Sequence, residues 1–177
     1  MKSFIKFILE NYKGEHESAD SRDAPLWDLT KNGVYPKDVY KTLNHYSSGD
    51  INLDNKIYDI ILRYKRKPNA DIKIYRAIPK EINDKINNED WVTPLLKYAK
   101  EHGIDNLKNN YKIISKTVKV RDLFTDGNSL YEWGYHPQPY VSDNEIFSSE
   151  ELELRKQRRK EYYKKFVEKY GVGTWYI

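Results

Sequence analysis

The chain has 177 residues, a formal net charge of +4 and no cysteine. Its length suits one domain with a sizeable core, and the missing cysteines exclude disulfides, thiolate metal sites and a cysteine nucleophile. Apolar residues make up 38%, the sixteen tyrosines included, each of which buries much area while keeping a polar handle, and a pI near 8.9 permits an anionic partner without demanding one.

Met1–Tyr12 places Phe4, Ile5, Ile8, Leu9 and Tyr12 at helical spacing, so an amphipathic helix is expected. Lys6 and Glu10 interrupt it, and it is too short for a signal core or a membrane span. A cytoplasmic protein is therefore expected. Residues 13–23 are polar and read as a loop. Ala24-Pro25-Leu26-Trp27-Asp28-Leu29 reads as a packed irregular segment, and Asn32-Gly33 as a turn. Pro36 suits the first turn of a helix to about Tyr46, with Val39, Tyr40, Leu43 and Tyr46 inward.

Asp54 is a candidate cap for the next helix, whose stripe is Ile57, Ile60, Ile61 and Tyr64. Arg63, Lys65, Arg66 and Lys67 crowd its end, where cations suit the helix dipole, and Pro68 stops it. Ile72–Ala77 reads as a strand and Pro79–Asn87 as a helical turn. Trp91–Thr93 reads as a short strand, and Thr93-Pro94 as the cap and first residue of a helix that Gly103 stops. Tyr111–Val120 and Leu130–Tyr135 read as strands separated by the turn Asp126-Gly127. Ser148 or Ser149 is placed to cap a charged helix to Tyr170 that docks through Phe166, Val167 and Tyr170. Arg155, Lys156, Arg158, Arg159 and Lys160 would then face water. Trp175–Ile177 reads as a strand or packed tail. Helices come first and strands follow with a helix between them. That order favours an α+β fold with a mainly antiparallel sheet. A single domain over 1–177 is expected, with a helical part (1–70), a sheet (71–140) and a C-terminal helix and tail (141–177).

No phosphate-binding glycine loop, zinc-protease motif or nucleophile elbow occurs in the sequence. His16, His45, His102 and His136 lack metal-ligand spacing, so no metal site is expected. Three residues stand out together. Arg76 ends a strand, and its planar fork suits a phosphate or ribose. Thr93 sits between a strand and a helix. Glu132 lies between Tyr131 and Trp133, a poor place for glutamate in a strand unless its carboxylate is used. A partly desolvated carboxylate works well as an electrostatic catalyst.

The order Tyr75-Arg76-Ala77, Asp90-Trp91-Val92-Thr93, Tyr98-Ala99 and Glu132 resembles the ADP-ribosyltransferase superfamily. With Ala24–Leu29, Gly33–Asp38, His102-Gly103 and Glu132-Trp133-Gly134-Tyr135 added, the pattern is similar to ADP-ribosyltransferase-like proteins of phages and mobile elements. The resemblance spans roughly Ala24 to Tyr140. It implies a split antiparallel sheet with a cleft for NAD, the substrate. It also implies transfer of ADP-ribose to an unknown acceptor, protein or nucleic acid, in the host cytoplasm if phage-encoded. By the same resemblance Glu132 is catalytic, Arg76 holds NAD phosphate or ribose, and Thr93 orients Glu132. The Ala77 backbone would hold the carboxamide, and Tyr75, Trp91 or Tyr135 would stack on nicotinamide. Leu130 stands where arginine-modifying members carry glutamate or glutamine, so arginine is not the implied acceptor. The rival reading is a non-catalytic interaction protein on the same fold, binding a host protein or nucleic acid. No membrane partner is expected under either reading.

Overall fold

The structure, a computed structural model, describes residues 18–170. The helix expected at Met1–Tyr12 and the tail expected at Trp175–Ile177 lie outside them. The protein is α+β, with antiparallel sheets. It falls into two compact units, one ending at Pro139 and one beginning at Tyr140, where the sequence suggests a single domain.

The first unit opens with β1, Ala24–Pro25. Short 3-10 turns follow at Lys31–Gly33, Val39–Lys41 and Leu43–Tyr46. They replace the single helix expected from Pro36 to Tyr46. Thr42 breaks it with an extended φ of −126°, and its hydroxyl bonds back to the Asp38 carbonyl. Val39 and Leu43 are nevertheless buried as the spacing implies.

Helix α1, Ile51–Tyr64, is capped by Asp50, whose carboxylate accepts from the N–H groups of Asn52 and Leu53. Asp54 is therefore not the cap. It is buried and holds a tertiary hydrogen bond described below. Ile57 and Ile61 lie fully inside. The turn after α1 is closed by Arg66, whose N–H donates to the Trp27 carbonyl at 2.7 Å.

Strand β2, Asp71–Pro79, pairs antiparallel with β4, Tyr111–Lys119, over nine residues each, from Asp71–Lys119 to Pro79–Tyr111. Residues 80–89, after β2, form turns and bends, not the helical turn expected there. A second sheet has the order β1-β5-β6-β3, with β3 at Asp90–Val92, β5 at Leu123–Thr125 and β6 at Trp133–Tyr135. Only the last three residues of the strand expected over Leu130–Tyr135 join the ladder. The Trp133 indole N–H instead donates back to the Leu130 carbonyl and folds that segment on itself. Gly134 lets the chain cross closely, because a Cβ there would overlap the Ala19 carbonyl oxygen.

Helix α2, Leu96–Leu107, packs on β2 and β4. It begins two residues after Pro94, because the Thr93 hydroxyl accepts from the Leu95 N–H and makes a turn there. Gly103 does not stop it. The helix passes through Gly103, where the Tyr111 ring lies so close that a Cβ would sit 2.7 Å from its Cγ. The actual end is Lys108, in the left-handed conformation with φ 49°.

The second unit holds a short helix α3, Asp143–Ile146, and a long helix α4, Ser149–Tyr170. Ser148 and Glu151 form a capping box at its start, as expected of Ser148. Val167 is half-buried, and the side chains of Phe166 and Tyr170 lie outside the described set. Arg155, Lys156, Arg158, Arg159 and Lys160 are all exposed.

Candidate active site

One isolated bridge joins the two sheets, and the site is built on it. Tyr75 donates to the Thr93 carbonyl at 2.7 Å, and Thr93 donates to the Tyr75 carbonyl at 2.9 Å. Two residues on, the antiparallel pattern calls for the Ala77 N–H to donate to the Trp91 carbonyl. That carbonyl accepts instead from Arg76 Nη1 at 2.7 Å, and the ladder stops. Arg76 is also 3.3 Å from Asp90, both side chains being mostly buried. The sheets therefore part beyond the bridge, and alternation along β2 turns the Ala77 N–H and C=O away from β4, towards that gap.

Strand register lines up the other residues. Val92 pairs with Trp133 at the end of the β3–β6 ladder, so Glu132 lies one residue past its last pair, and Thr93, one residue past Val92, faces Tyr75. Tyr75 and Thr93 thus oppose each other directly across the bridge, and Glu132 lies just outside β6. Directly opposed residues of antiparallel strands share a face. Tyr111, which meets Gly103 of α2, lies on the Tyr75 face by the same alternation, so α2 covers that face of β2 and β4.

Glu132 meets α2 through two residues one turn apart. Its Oε1 accepts from the Tyr98 hydroxyl at 3.0 Å and lies 3.9 Å from His102 Nδ1. The Glu132 side chain keeps 38% exposure and His102 keeps 39%. Burial, with the Glu132 charge in second place, pushes the Tyr98 hydroxyl well above the usual tyrosine range. Tyr98 therefore stays a donor to the carboxylate. Its ring stacks on Tyr131 with centroids 5.2 Å apart. The Tyr131 hydroxyl in turn bonds the buried Asp54, which also accepts from the Ser48 N–H at 2.9 Å. Helix α1, helix α2 and the β6 approach are thereby fastened to one another around Glu132.

The residues expected from sequence distribute unevenly. Thr93 and Tyr75 oppose each other across the bridge, and Glu132 lies one residue before β6. Thr93 is 4% exposed, and its oxygen is engaged with Leu95. Arg76 steps to the opposite face by alternation and engages β3. Trp91 and Tyr75 are half-buried. Tyr135 is buried, and its hydroxyl accepts from Lys116 at 2.8 Å. The sequence reading missed Tyr98, His102 and Asp90 as partners. The signal for two of them was available: Tyr98 and His102 stand at i and i+4 on a helix following Thr93.

Among the described residues there is no group of three or more metal-ligating side chains, and no helix long and apolar enough to cross a membrane. Comparison of the chain with family models, with curated proteins and with solved structures returns no match.

Proposed function

We propose that the protein is an NAD-dependent mono-ADP-ribosyltransferase on an ADP-ribosyltransferase-like fold. The observation that carries this reading is the isolated Tyr75–Thr93 bridge: the sheets part beside it, and Glu132, one residue before β6, is held by Tyr98. A gap between two antiparallel sheets, with a half-exposed carboxylate at its side, suits a ligand that must be gripped and then broken at one bond.

In the proposed reaction the bond from ribose C1′ to the nicotinamide nitrogen breaks, and its electron pair leaves with nicotinamide. The ribose becomes cation-like, as in glycosidic cleavage generally. Glu132 stabilises that charge and accepts from a ribose hydroxyl, while Tyr98 holds the carboxylate in place. The acceptor then attacks C1′ and releases a proton. The Ala77 main chain offers one donor and one acceptor to the carboxamide, and Tyr75 or Trp91 supplies a ring to stack on nicotinamide. Tyr135 is too buried for that part. Arg76 acts by keeping β2 and β3 apart at Ala77, in place of the direct phosphate contact the sequence suggests.

Released nicotinamide, measured after incubation with NAD, tests the reading. Glu132→Gln conserves size and removes the charge, so the rate should fall about 10²–10³-fold. Wild-type turnover by that variant would reject Glu132 as the catalytic residue. No nicotinamide release by the native chain, with or without added protein and nucleic acid, would reject the enzyme.

A further inference from the structure

We infer that helix α4 is a binding face for single-stranded nucleic acid, independently of any NAD chemistry. At about 100° per residue, Arg155, Arg158, Arg159, Tyr162 and Lys165 fall within an arc of roughly 120°. All five are exposed, Tyr162 at 72%. Glu150, Glu153, Glu161 and Glu168 lie off this stripe. Glu151 is in line with it but sits in the first turn, where it caps Ser148. Residues 155–160 read Arg-Lys-Gln-Arg-Arg-Lys, five cations in six positions with no acid among them.

The chemistry of the stripe selects the partner. Arginine forks match phosphate oxygens, and three of the four cations are arginines. An exposed aromatic ring flanked by two of them is the element that single strands use, because an unpaired base offers a face to stack on and a duplex does not. Arg155 is already stacked over Phe147 at 3.9 Å, which holds its guanidinium at the head of the stripe. A membrane surface fits less well. An interfacial helix needs a broad apolar face opposite its cations. Here Leu154 and Tyr162 are the exposed large apolar side chains among the described residues of α4, and glutamates share the far side.

Fluorescence anisotropy with the full chain and a short labelled single-stranded oligonucleotide of mixed sequence tests the inference. Binding should weaken as salt rises, with a logarithmic slope of about −3 for four phosphate contacts. Affinity should then fall roughly 50-fold between about 50 and 200 mM salt. Arg158→Gln with Arg159→Gln should bring the slope to about −1.4. Tyr162→Ala should weaken binding about tenfold and leave the slope unchanged. Nicotinamide release should be the same in all of these variants. The inference is overturned by absence of binding at about 50 mM salt, or by a double variant with wild-type affinity and slope. Tyr162→Ala with unchanged affinity overturns it as well. So does tighter binding to a duplex of the same sequence or to phosphatidylserine vesicles.

Discussion

Arg76 exchanges a backbone hydrogen bond for a side-chain one, and the exchange decides where the sheet divides. Its guanidinium takes the Trp91 carbonyl that the Ala77 amide would otherwise reach, and the Asp90 carboxylate neutralises it at 3.3 Å. The pair is mostly out of water, so removing one partner leaves the other charge poorly solvated. Arg76→Met should therefore cost about 3 kcal/mol in urea unfolding. Arg76→Lys should cost less, because it keeps the charge while losing the fork. The variants also test the geometry. With the guanidinium gone, the Ala77 amide is free to close the next bridge, and its hydrogen exchange should slow in the folded Met variant. An Ala77 amide that exchanges equally fast in both proteins would mean that Arg76 does not hold the gap open.

Elements were legible where periodicity and punctuation agreed. The Ile57–Ile61 stripe, the two strands around Ile74 and around Val118, and the Ser148 cap all appear as read, while the pairing of those strands is seen only in the structure. What misled was side chains whose job lies elsewhere in the fold. Asp54 reads as a cap but bonds Tyr131, seventy-seven residues away in sequence. Thr93 reads as a cap but shapes a turn before the helix. The two-residue β1 and the short β5 leave too few positions for alternation to show. In the candidate site, Glu132 was legible from its unusual neighbours, while the pairing of Tyr75 with Thr93 depends on register, which a single sequence does not display. Gly103 is the sharpest case, because it reads as a stop and works as a contact. Ala in its place gains about 1 kcal/mol of helix propensity but drives a Cβ into the Tyr111 ring at its root, which must swing as a whole. Overpacking of this kind costs about 1–3 kcal/mol. Gly103→Ala should thus be destabilising in the native background. With Tyr111→Ala already in place the same change should be stabilising, since the obstructing ring is gone. Two losses of equal size would mean that the helix needs glycine for some other reason.

At the scale of the whole molecule, tyrosines set in and around a mainly aliphatic core make stability sensitive to alkali. Tyr35 is 5% exposed and Tyr40 is half-buried, and burial pushes each hydroxyl up to about 12. Tyr98 moves the same way, from burial first and the Glu132 charge second. In the unfolded chain all three titrate near the ordinary value of about 10. Between about pH 10 and 12 the unfolded chain loses protons that the folded one keeps. The folded state then binds more protons, and stability falls as pH rises. The contribution of these groups is complete below about pH 10 and disappears as pH passes the raised values. Tyr35 and Tyr40 together should give a slope of about 2 kcal/mol per pH unit near pH 11, at about 1.1 each, and Tyr98 should steepen it. Urea midpoints at a series of pH values from neutrality upwards should therefore hold level to about pH 9.5 and then drop. Tyr35→Phe with Tyr40→Phe removes both ionisable groups and should flatten the decline, leaving mainly the part due to Tyr98. A decline of the same steepness in that double variant would place the alkaline sensitivity in other groups, lysines losing their ion-pair charge being the first to check.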